Sequence, residues 1–204
     1  DTSKRPIRIF ISNGLQLPDG YSGGALNGAR MSVLDELFAN RETLNRLSVS
    51  KGYRPEMRTQ AIWGLQQWDW AQSERLFKYQ LTNDPATADI LLFWCPHLPK
   101  EAGITFLEPS RNKSIIEIQT SSLSSLSHLY LQYVFIHIAA HEFGHALGMS
   151  HSDNSADLMF PRSQTITIYV GRGVGHLPKG IGKNDKATFR TLYSLPPDMS
   201  MTPR

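Results

Sequence analysis

Residues 141–151 read HEFGHALGMSH, and this stretch decides what the rest of the chain has to build. Four residues along an α-helix advance about 400° and rise about 6 Å, so His141 and His145 project from one face at a separation that a single tetrahedral zinc ion bridges. Glu142 stands beside them, within reach of a water on that metal. Gly148 can take the left-handed conformation that ends a helix, which turns the chain so that His151 approaches from a third direction. Three neutral imidazoles leave the metal its full charge and an open position, as in a catalytic rather than a closed structural site. A bare H-E-x-x-H arises by chance in roughly one chain of this length in a few hundred, and requiring Gly148 and His151 at fixed offsets lowers that by about several hundredfold.

Outward from the motif, an apolar helix is expected from about Leu129 to Leu147, after the serine-rich TSSLSSLS at 120–127, which offers N-caps. Toward the N-terminus, IRIFIS (Ile7 to Ser12) reads as a short buried strand closed by Asn13-Gly14. The Gly-rich DGYSGGALNG leads to Ala29 to Leu47, where Met31, Leu34, Leu37, Phe38, Leu44 and Leu47 recur at helical spacing, with a break near Asn40. Arg54-Pro55-Glu56 opens a second helix, with Met57, Ala61, Leu65 and Trp68 on one stripe. Strands are expected at Leu76 to Leu81, Ala88 to Trp94, Gly103 to Leu107 and Ser114 to Gln119. Beyond the motif, Ser150 to Lys183 reads as irregular apart from TITIYV at 165–170, and a last helix runs from Asn184, as N-cap, to Ser194. The pattern predicts an α/β fold: a mixed, twisted sheet of about five strands with two main helices, then a small irregular C-terminal lobe carrying one helix.

The 204 residues are 40% hydrophobic and 19% charged, a globular mix that argues against wholesale disorder. A net charge of +3, scattered along the chain, makes no case for nucleic acid. Cys95 is the sole cysteine, so no internal disulfide framework exists. No run approaches the length of a membrane span. The opening DTSKRP lacks an apolar leader, as a processed chain would.

Together with Asp157-Leu158-Met159-Phe160-Pro161, eight residues after His151, the motif resembles the metzincin clan of zinc endopeptidases. Ser152 directly after the third histidine, and the LMFP sequence, look most like the matrixins, the matrix metalloproteinase family. Asp153-Asn154-Ser155 is also similar to some bacterial metzincins, so another branch of the clan stays open. Trp68, the ADILLFW strand, the strand at Ile104 to Leu107, and Asn184-Asp185 before Leu192-Tyr193 follow in matrixin-like order. The resemblance implies a zincin-like α+β catalytic domain over 1–204, with an N-terminal subdomain at 1–148, a C-terminal subdomain at 149–194 and a tail at 195–204. It implies one catalytic Zn²⁺ on His141, His145 and His151, with Glu142 as general base to a zinc-bound water in peptide-bond hydrolysis. Met159 would floor the site as the Met-turn residue, where ordinary core filling is the plainer reading. Asp185 would brace that turn. Substrate contacts fall on Ile104 and Thr105 of an edge strand and on Pro161 and Ser163 after the turn.

The chain departs from the family elsewhere. The region CPHLPKEAGITFLEPSRNKSIIEIQT is short, with Thr105 and Glu117 to Gln119 where the family places histidines, so a second, structural zinc is not expected and calcium ligands are not carried over. Pro161-Arg162-Ser163 replaces the family's Pro-x-Tyr, and the Ala29 to Leu47 helix is an insertion. The expected partners are protein or peptide substrates, with a propeptide or protein inhibitor as further candidates; the expected state is a secreted monomer. A catalytically silent module on the same fold is the competing reading. Intact Glu142 argues against it, because binding alone needs no base there. His137 extends the ligand stripe and reads as a helix histidine bonded to a neighbour, Cys95 as a small apolar residue, and His97, His128 and His176 as surface residues.

Overall fold

The computed structural model describes residues 5–18, 34–37, 39–99, 101–108, 112–121, 128–161 and 180–195. Its five strands are β1 (Ile7–Ile11), β2 (Tyr79–Thr82), β3 (Ile90–Cys95), β4 (Gly103–Glu108) and β5 (Lys113–Gln119), ordered β2-β1-β3-β5-β4 in one sheet. Four are parallel, and β4 alone runs antiparallel, along β5 at the sheet's edge. The central strand β3, ILLFWC, is buried at every position, as expected where both faces of a parallel strand are covered.

Strand alternation divides the core in two. Ile9, Ile11, Ile90, Leu92, Trp94, Ile116 and Ile118 face inward onto the helices, while Phe10, Leu91, Phe93 and Ile115 face outward onto a second cluster. The inner face carries α1 (Pro55–Gln66), the short α2 (Asp69–Ser73), the long α3 (His128–Ala146) and α4 (Lys183–Ser194). α1 lies directly against α3: a Cβ on Gly64 would stand 2.6 Å from Ala139 Cβ and 2.8 Å from the Ile136 carbonyl, so glycine sets how closely the two helices approach. α4 enters through Phe189, whose ring centroid is 5.1 Å from that of Trp68 and 5.7 Å from that of Phe77. The outer face is closed by Leu34, Leu37, Leu44 and Leu47. Residues 34–37 are helical and Asn40 caps a separate 3-10 helix at Arg41–Arg46, so the expected break near Asn40 is present.

Some boundaries differ from expectation. The strand expected from Leu76 begins at Tyr79, because Arg75 turns at φ 60° and the Leu76 N–H returns to the Ala71 carbonyl. β3 begins at Ile90 rather than Ala88, since the Asp89 carboxylate is used on the Arg8 N–H. α4 is capped by Gly182, not Asn184: the Asp185 carboxylate accepts the Gly182 N–H at 2.8 Å while the Asn184 amide donates to Asp157. The strand expected at 165–170, residues 29–33 and 38 of the expected helix from Ala29 to Leu47, Ser163, His176 and the tail beyond 195 lie outside the described residues. No described helix is long and apolar enough to cross a membrane.

Candidate metal centre

α3 ends where Gly148, at φ +96°, takes the left-handed conformation expected of it. The Met149 N–H bonds back to the Gly144 carbonyl, and the chain reverses past the end of the helix. That reversal brings the Met149 carbonyl to His145 Nδ1 at 2.8 Å, and the later turn brings the Leu158 carbonyl to His141 Nδ1, also at 2.8 Å. A carbonyl only accepts, so each Nδ1 carries the proton and each Nε2 presents a lone pair.

The Nε2 atoms converge. His145 Nε2 lies 3.1 Å from His141 Nε2 and 3.1 Å from His151 Nε2, and the three rings offer ligand atoms within 4.8 Å of one another. Lone pairs aimed together at that distance repel unless a cation lies between them. Zinc–nitrogen bonds of about 2.0–2.1 Å make a tetrahedron whose edge is about 3.3–3.4 Å, so the spacing fits one zinc ion with a corner left over. Burial is the main influence lowering the pKa of His145, with the cationic form of His151 adding to it and the Met149 carbonyl opposing; the result favours the neutral, ligating form.

Glu142, on the adjoining side of α3, is 5% exposed. Burial pushes its carboxyl up to about 8, against a hydrogen bond from Thr105 that favours the ionised form. Thr105 Oγ1 donates to Glu142 Oε2 at 2.7 Å.

Met159 is 1% exposed, and its sulfur packs where a Cβ on Gly144 would otherwise sit, beside the Trp68 ring. Trp68 Nε1 donates to the Ala140 carbonyl at 3.0 Å, fixing the indole under the helix. The turn itself hangs on Asp185, whose carboxylate accepts the Leu158 N–H at 2.9 Å and the Met159 N–H at 3.2 Å. This orients the Leu158 carbonyl that holds His141. Asp157 does the same for the loop before it, accepting Ser152 Oγ at 2.6 Å.

Of the residues expected to meet substrate, Ile104 and Thr105 occupy β4, whose far side pairs with no other described strand. Their side chains point to opposite faces: Thr105, level with Ile116, turns inward to Glu142, whereas Ile104 turns outward. Pro161 is exposed after the turn. His97 is exposed and Cys95 buried, as expected. Sequence reading missed the Thr105 to Glu142 bond, although period-two alternation already separates Thr105 from Ile104.

Residues 59–193 match the sequence model of a family described as Matrixin. Among curated proteins, stromelysin-3 of Xenopus laevis is 39% identical over 71 residues, a match that spans 34% of this chain and 13% of that protein. Among solved structures, a chain of the GM1-bound form of the ECX AB5 holotoxin superposes with a TM-score of 0.50 at 14% identity, covering 94% of this chain and 81% of the other. At that identity the likeness is one of fold alone.

Proposed function

Because this chain belongs to the matrixin family, we propose that it is a zinc-dependent endopeptidase acting on protein substrates, with His141, His145 and His151 as zinc ligands and Glu142 as general base. The observation that carries this reading is the convergence of three Nε2 atoms, two with their tautomer set by backbone carbonyls, next to a buried carboxylate. When bound, zinc supplies a Lewis acid that makes a water nucleophilic near neutral pH and polarises the scissile carbonyl.

The chain's own residues do the rest. Glu142 takes the proton of the attacking water and returns it to the departing amine, so that its carboxyl cycles once per turnover. An extended substrate pairs with the main chain of β4, where backbone hydrogen bonds give affinity, and Pro161 and Ser163 are further substrate contacts that contribute selectivity. Met159, held by Asp185, supports the ligand histidines from below and coordinates nothing. The working unit comprises an N-terminal subdomain, 1–148, and a C-terminal one, 149–194, and acts outside the cell as a monomer without a second zinc.

Replacing Glu142 with Ala tests the assignment. The variant is expected to keep close to one zinc per chain and lose all chelator-sensitive cleavage of a quenched peptide library. Retained cleavage would sink the role of Glu142, and a wild-type chain that binds zinc without cleaving anything would favour a silent binding module.

A further inference from the structure

Two residues of the edge strand β4 close on Glu142 from the sheet side. Thr105 and Gly103 lie opposite Ile116 and Ile118 in the ladder and therefore share the inward face. Thr105 Oγ1 donates to Glu142 Oε2 at 2.7 Å and stands 3.1 Å from the Glu142 carbonyl oxygen. Gly103 passes beneath the rest of the side chain: a Cβ there would meet Glu142 Cγ at 2.7 Å, Oε1 at 2.8 Å and Ile138 Cγ2 at 2.9 Å. One carboxylate oxygen is thus engaged by a hydroxyl, and the other lies over bare backbone. Neither contact is needed to hold a metal, since all three converging nitrogens come from α3 and the chain after it.

Resting on the reading of Glu142 as the base, we propose that Thr105 is a positioning residue whose hydroxyl commits Oε2, leaving Oε1 as the atom that takes the proton from water and returns it to the leaving amine. Gly103 keeps open the slot in which the side chain adopts that pose. A glutamate has three rotatable torsions, and a hydrogen bond to its charged end is what selects one arrangement. A different role would leave a different trace: if Thr105 only ties β4 to α3, its loss shows in stability or in substrate binding and not in the chemical step.

The test compares Thr105→Val, Thr105→Ser and Gly103→Ala with the wild-type zinc-loaded chain, with Glu142→Gln as background. Thr105→Val is expected to keep the wild-type zinc content and lose about ten- to a hundredfold in kcat with KM within about twofold, the size of one hydrogen bond to a charged group. Thr105→Ser restores most of that loss, and Gly103→Ala lowers kcat by displacing Glu142. A Thr105→Val variant with wild-type kcat, or one whose loss falls on KM or zinc content, overturns the proposal. A wild-type chain without chelator-sensitive cleavage would instead remove the reading of Glu142 on which the proposal rests. The crystal structure of Thr105→Val decides the positioning claim independently of turnover: a moved Glu142 carboxylate supports it, and an unmoved one contradicts it.

Discussion

The inner face of the sheet is built around polar anchors and close approaches, whereas the outer face is covered over Phe10, Leu91, Phe93 and Ile115 by leucines from residues 34–47. On the inner side Gly64, Gly103 and Gly144 leave no room for a methyl group, Trp68 donates to the α3 backbone, and Asp185 gathers three backbone N–H groups. Those contacts fix directions as well as volume. The outer cluster packs on the face of the sheet opposite the one that carries α3. Stability and the geometry of the metal centre are therefore separable, and substitutions on the two faces should differ in kind.

Asp185→Ala is expected to have the largest effect. It leaves the N–H groups of Leu158, Met159 and Gly182 without their carboxylate, a loss of about 4.5 kcal/mol if each charged hydrogen bond contributes about 1.5. Because the Leu158 carbonyl holds His141, zinc affinity should fall as well. Urea unfolding and zinc competition titration measure the two effects, and intact zinc affinity would break the link between turn and ligand. Leu34→Ala, a truncation of a fully buried side chain in the outer cluster, should lower stability by about 3 kcal/mol while leaving zinc affinity unchanged. A weaker metal in that variant would show that the faces are coupled.

The smallest effect belongs to the exposed pair of Arg190 and Glu74, which joins α4 to the residue after α2. The Arg190 guanidinium holds the Glu74 carboxyl below its usual range. A carboxylate with a lowered folded pKa adds stability above its unfolded pKa, and that contribution disappears as pH falls through the folded value. Thermal melts of Arg190→Gln should therefore differ slightly from wild type at neutral pH and coincide with it in acid. A difference that persists at low pH would point to lost stacking of Arg190 on Trp70, whose ring centroid lies 5.2 Å away, in place of lost charge.

The inner face was largely legible in the sequence, because its signals are local. The spacing of His141, Glu142, His145 and Gly148 fixes a helical face and its end, and the matrixin resemblance carried Met159 and Asp185. The five strands could be read from apolar runs, but their exact starts could not. Arg75 leaves α2 with a positive φ that no residue type there announces, and Asp89 uses its carboxylate on a strand 81 residues earlier in the chain. The Asn184 cap failed for the same reason, since Asp157 takes its amide and Asp185 serves the helix in its place. The slot formed by Gly103 and Thr105 was hidden because sequence shows which strand residues share a face but not which helix residue stands opposite.

Two backbone carbonyls and a helix end aim three imidazole nitrogens at one point. X-ray absorption at the zinc edge of the wild-type chain tests it most directly. One tightly held zinc per chain is expected, with three nitrogen ligands at about 2.0–2.1 Å and one oxygen. Failure to take up zinc, or a first shell containing sulfur from Cys95 or fewer than three nitrogens, would contradict it.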